Sequence, residues 1–193
     1  MVETPKHTNG HTVLAVPVPQ LDQVVRSRTA HYDKTFVSTD PRFVHAHITV
    51  LAPWVVRPTR ADLDRVGEIA ARVEPTLVTL SEVEEFVGGV IHLRPEPEEP
   101  FRRLTAELSA CFPDFPPYAG EFPDPVPHLT LDHPAGGVTL GEVRDRMDGL
   151  LPITFTLDKL DLQWWANNDC RLLHSWAIGG VRRLGAASPR MAR

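Results

Sequence analysis

The chain has little that would cross-link it or anchor it in a bilayer. Two cysteines, Cys111 and Cys170, stand among 193 residues. That is too few for a disulfide framework or a cysteine-based metal site. Both are expected as reduced thiols in or near the core. No stretch approaches the roughly 18 apolar residues that cross a membrane. The opening MVETPKHTNG lacks the apolar centre of a signal peptide. The expectation is a cytoplasmic protein, monomeric and without a membrane partner. Positive charge is also short, with 20 Lys and Arg against 25 Asp and Glu, a net of −5. A long nucleic acid is therefore not implied. An RNA terminus or a small nucleotide asks only for one local phosphate site.

What is present fits one domain. Hydrophobic residues make up 42% and charged residues 23%, ordinary for a globular fold. Branched apolar runs bounded by proline and glycine predict strands at 11–18, 44–51, 76–88, 89–97, 128–134, 153–165 and 170–180. The 76–88 strand is expected to bend near Ser81. Helical spacing predicts helices at 19–33, 59–74, 98–112 and 139–151, with Thr59 and Thr139 as N-caps. In the first helix Leu21, Val24, Val25 and Arg28 share the stripe. A proline-rich loop, PDFPPYAGEFPDPVP, fills 113–127.

The order of these segments repeats. Residues 11–88 and 89–180 each read strand, helix, His-x-Thr strand, Thr-capped helix, strand. One duplication argues against a solenoid. It predicts an α+β fold: a single bilobal domain over 11–180, with two antiparallel sheets flanking a central cleft and helices outside. Residues 1–10 and the basic tail 181–193 are expected to be flexible. In this reading His47 faces His128 across the middle.

The repeated strands carry the chemistry. In HAHITVLAPW, residues 45–54, strand alternation puts His45, His47 and Thr49 on one face. In HLTLDHP, residues 128–134, it does the same for His128 and Thr130. A lone His-x-Thr is a weak signal and most often a satisfied strand residue. Two at one place in a repeat say more. Paired histidines can split the work of general base and general acid on a phosphodiester. Hydroxyls two residues along can bind the non-bridging oxygens. Zinc is the alternative use of facing histidines, with His45 as a third ligand, but neither HExxH nor a cysteine cluster accompanies them.

With these motifs the chain resembles the 2H phosphoesterase superfamily, which includes the 2′-5′ RNA ligase and RNA cyclic phosphodiesterase enzymes. The resemblance spans roughly residues 11–180. It rests on HITV and HLTL, supported by FVGGVIHLRP between them. It implies a bilobal α+β protein that cleaves 2′,3′-cyclic phosphates or related phosphodiesters without a metal or other cofactor. It implies that His47 and His128 are catalytic and that Thr49 and Thr130 bind phosphate. In the ligase branch an arginine commonly follows the second motif; here that place holds His133. Further candidate substrate contacts are His45, His133, Tyr118, His174 and Trp176. Tyr118 and Phe122 could stack on a base. His7, His11 and His31 read as ordinary surface residues. Two alternatives stay open: a hydrolase of a small nucleotide metabolite, and a non-catalytic module that binds RNA ends.

Overall fold

The computed structural model describes residues 10–133 and 137–180. The expectations for residues 1–9 and for the tail from 181 onward lie outside the described residues, as does Pro134. Twelve elements follow in chain order: β1 (Gly10–Pro17), α1 (Asp22–Tyr32), β2 (His47–Leu51), α2 (Arg60–Arg72), β3 (Thr76–Glu85), β4 (Ile91–Glu96), α3 (Glu99–Cys111), β5 (Leu129–Asp132), α4 (Leu140–Met147), β6 (Ile153–Leu157), β7 (Lys159–Ala166) and β8 (Arg171–Ala177). Local chemistry sets several boundaries. Thr59 and Thr139 each close a capping box, with Asp62 and Glu142 as the reciprocal partners. Two otherwise orphaned backbone donors are thereby satisfied at each helix start. Pro19 opens a single 3-10 turn, Pro19–Leu21, that feeds α1. β3 shifts register between Leu80 and Val83, where the bend was expected.

The two expected sheets are one. All eight strands form a single sheet in the order β6-β3-β4-β5-β2-β1-β7-β8, with every pairing antiparallel. The backbones of β2 and β5 pair at Ile48↔Leu129, and this joins what the sequence suggested were separate sheets. Pairing also crosses the midpoint of the chain. β3 lies between β6 and β4, and β7 lies between β1 and β8. The segment 153–165, read as one strand, breaks at Asp158. Its first part joins one edge of the sheet and its second part pairs with β1. The apolar phase shifts at this break, from odd positions (Ile153, Phe155, Leu157) to even ones (Leu160, Leu162), a mark that the one-strand reading passed over.

One side of the sheet is closed by helices. Val66, Ile69 and Ala70 of α2 and Phe101, Leu104 and Leu108 of α3 are buried with Leu14, Val16, Ile48, Leu93, Leu129 and Leu160. Burying the apolar faces of α2 and α3 against alternate strand residues is the main stabilising term. By contrast, α1 has no fully buried residue. Its inner face borders a cavity. Among the described residues, no helix is long and apolar enough to cross a membrane.

Candidate active site

The seam between β2 and β5 positions the motif side chains. In an antiparallel register centred on Ile48↔Leu129, the residues on either side pair crosswise. His47 therefore lies across from Thr130, and Thr49 across from His128. The four side chains alternate around a square. The histidines occupy one diagonal, a relation in which the residues lie about 7–8 Å apart and their Cβ atoms somewhat closer. This corrects the expectation that His47 faces His128 directly. Ile48 and Leu129 point the other way into the core, and both are fully buried. Burial of these two residues thus fixes which face the histidines take. All four motif side chains line one cavity of about 180 Å³.

Both histidines are oriented in the same way. His47 Nδ1 is 2.6 Å from the carbonyl of His45, and His128 Nδ1 is 2.8 Å from the carbonyl of Val126. A carbonyl only accepts, so Nδ1 carries the proton and donates. Nε2 is left as the nitrogen available for proton transfer. Burial pushes the His47 imidazole down to about 4, against the pull of the His45 carbonyl and aided by His45, His128 and His11. Burial also lowers His128, and His92 adds to the effect. Both rings are therefore neutral near pH 7 in the free protein.

Aromatic rings flank each histidine. Trp165 of β7 lies 5.5 Å from His47. Around His128, Phe86 stands edge-on at 5.0 Å, His92 stands edge-on at 5.5 Å, and Tyr118 lies nearly parallel at 6.4 Å. The Tyr118 phenol also hydrogen-bonds the side chain of Thr49, and burial pushes its ionisation to higher pH. Tyr118 thus touches both motifs. The proline-rich loop that carries it is tied down at two points. The Tyr118 N–H donates to the Ala52 carbonyl at 2.7 Å. Asp124 accepts from Arg102 of α3 at 2.9 Å. Phe122 packs edge-on against Tyr118, half exposed.

The other expected contacts divide. His133 lines the cavity just past β5, and its carbonyl accepts from the Tyr32 hydroxyl at 3.1 Å. His45 borders the cavity, but its ring is buried. Nε2 accepts the Ser38 N–H at 3.1 Å, and Nδ1 lies 3.5 Å from Asp22. Its carbonyl accepts from His47 Nδ1. His174 and Trp176 are not among the residues that line the cavity. They lie on the edge strand β8, three strands from β2, with their rings 4.5 Å apart. A Cβ on Gly67 of α2 would lie 3.0 Å from Trp176, so the indole packs on that helix. His11, read as a surface residue, sits across from Trp165 on β1.

Several side chains at the site were not singled out from the sequence: Tyr32, Asp132, Trp165, His92 and Phe86. Arg28 was seen only as part of a helical stripe. A signal existed for two of them. Arg28 is a charge on an otherwise apolar stripe, and Asp132 continues the even-numbered face of His128 and Thr130. Asp132 is buried between Arg28, 2.7 Å away, and Arg146 of α4, 3.0 Å away. Burial alone would raise its carboxyl, but Tyr32, Arg28, the His133 N–H and Arg146 overcome that and hold it below the usual range. Among the described residues, no three His, Cys, Asp or Glu side chains are grouped to hold a metal ion.

Comparison with known proteins agrees with this arrangement. The profile of the 2′-5′ RNA ligase superfamily matches residues 16–169. The chain belongs to the 2′-5′ RNA ligase superfamily. None of the curated proteins compared matches it. Solved structures do. Escherichia coli LigT in its apo form is 15% identical with a TM-score of 0.52, covering 87% of this chain and 96% of that one. Its complex with NADP+ is 16% identical with a TM-score of 0.50, covering 88% and 97%. The TT0787 protein of Thermus thermophilus is 18% identical with a TM-score of 0.50, covering 89% and 99%. At these identities the likeness establishes a shared fold. Superfamily membership makes the protein a 2H phosphoesterase, and both His-x-Thr motifs fall within the matched residues.

Proposed function

We propose that the protein is a metal-independent phosphodiesterase that opens a 2′,3′-cyclic phosphate at an RNA end or on a nucleotide. The observation that carries this is the square of His47, Thr130, His128 and Thr49 around one cavity, with both Nδ1 atoms tethered to carbonyls. A phosphate centred on the square meets Nε2 of one histidine on each side. The two threonine hydroxyls then reach its non-bridging oxygens, where charge gathers in the transition state.

The lower-titrating His47 takes the base role and His128 the acid role. His47 Nε2 removes a proton from water as the water oxygen bonds to phosphorus. The bond from phosphorus to one ribose oxygen breaks, and His128 Nε2–H protonates that oxygen. The products are a phosphomonoester and a ribose hydroxyl. Water is consumed and the proton count balances. The same step with a 5′-hydroxyl in place of water as the nucleophile, breaking the bond from phosphorus to the 3′-oxygen, would be 2′-5′ ligation. Trp165 on one side and Tyr118 on the other offer faces for a base.

The test is turnover of 2′,3′-cyclic nucleotides and of a cyclic-phosphate-ended RNA by EDTA-treated protein. Turnover that survives EDTA is expected; loss of turnover with EDTA, restored by added metal, defeats the metal-free mechanism. The pH profile is a second readout. The profile of kcat/KM reports the free protein, in which both histidines titrate below 6.5. Below about 4 the base is protonated; above the lowered value of His128 the acid is lost. A bell with its maximum below pH 6.5 is expected. A rate that climbs steadily from about pH 5 to 9 would remove His128 as the acid.

A further inference from the structure

The cavity has a second end, and it is charged. Arg28 and Tyr32, one turn apart on α1, line it together with the motif side chains. Arg28 Nε lies 2.7 Å from Asp132 Oδ2, and its Nη2 lies 3.3 Å from Oδ1. Arg146 Nη1 is 3.0 Å from the same carboxylate. Two permanent cations share one anion, so the cluster keeps a surplus of one positive charge. The motif histidines are neutral near pH 7, which makes this cluster the lasting source of positive potential along the cavity wall.

Asp132 engages only one side of Arg28. The Arg28 Nε is buried against Oδ2, 2.7 Å away. Nη2 is shared between Asp132 and the Tyr32 hydroxyl. Nη1 has no hydrogen-bond partner among the described residues. The side chain is only 14% exposed. A half-buried guanidinium, held by a carboxylate on one side and lining the cavity with its Nη nitrogens, is placed to receive an oxyanion.

We propose that Arg28 forms a second anion subsite, which binds a phosphate group of the substrate other than the one between His47 and His128. This rests on the reading above for the position of the reacting phosphate. Asp132 follows Thr130 by two residues and His128 by four. At the rise of an extended strand, Arg28 is anchored about 7 Å beyond Thr130 and about 13 Å beyond His128. That is the span of one nucleotide unit. The substrate class is therefore a nucleotide or RNA end that carries a further phosphate one unit away, such as a 5′-phosphate. Arg146 tunes the subsite from outside by cancelling the Asp132 charge.

Calorimetric titration with two ligands that the protein does not turn over tests this: adenosine 2′-phosphate and adenosine 2′,5′-bisphosphate, both at low salt. Wild-type protein is expected to bind the bisphosphate about tenfold more tightly. Arg28→Gln should shrink that gain to under about threefold, and Arg146→Gln should leave it in between. A wild-type gain below threefold overturns the proposal, as does a tenfold gain that persists in an Arg28→Gln protein melting like wild type. Where Arg28→Gln does not fold, Arg146→Gln decides, its side chain being one-third exposed. An undiminished gain there overturns the subsite, and a reduced one supports it. Failure to turn over cyclic phosphates, with the bisphosphate gain intact, would count against the proposed reaction and not against the subsite.

Discussion

Replacing His47 or His128 by alanine is expected to lower kcat by about 10³-fold, within the range that a positioned general acid or base supplies. The double variant should be little worse than either single one, because the two imidazoles act on one proton inventory. Affinity for adenosine 2′-phosphate should change far less, since Thr49, Thr130 and the aromatic walls remain. Steady-state kinetics and ligand titration on the three variants separate these effects. The comparison also distinguishes an enzyme from a binding module, which has no turnover to lose. A loss of less than about tenfold in either single variant would show that the histidine concerned transfers no proton. The core should tolerate both changes. Each imidazole is tied to the backbone through one hydrogen bond to a carbonyl, and the buried faces of β2 and β5 are held by Ile48 and Leu129.

Asp132→Ala should have the largest effect on stability. The carboxylate is 2% exposed and is the common partner of Arg28, Tyr32 and Arg146. Removing it leaves the Arg28 guanidinium buried without a counter-ion, and breaking a buried pair from one side costs about 3 kcal/mol or more. In a chain of this size the melting temperature should fall by roughly 6–12 °C. Asp132→Asn keeps the shape and some hydrogen bonds and should cost less. A thermal melt of both variants checks this. A loss below about 1 kcal/mol for Asp132→Ala would mean that water already screens the cluster. Acid should mimic the substitution. The folded carboxyl titrates below its unfolded value, so its contribution is complete above the unfolded value and is lost as pH falls through the folded one.

The grouping of the four motif side chains was legible in the sequence because it sits on local pattern. His47, Thr49, His128 and Thr130 are separated by two residues within each motif, and strand alternation alone gives them a common face. The helix starts at Thr59 and Thr139 were legible for the same reason, since a capping box spans only four residues. The bend in β3 near Ser81 was marked by a break in alternation.

Tertiary structure decided what depends on pairing between distant segments. Hydrogen bonding between β2 and β5 merged two expected sheets into one and turned a facing pair of histidines into a diagonal pair. The break at Asp158 sent two adjoining segments to different places in the sheet. His174 and Trp176 went to the edge strand β8, away from the cavity, since position in strand order is not encoded in alternation. Arg28 and Asp132 are 104 residues apart. Each carried only a faint mark in its own segment, and only the fold brings them together. Local periodicity fixes which face a side chain takes; register and strand order, set by burial over the whole core, fix what it meets there.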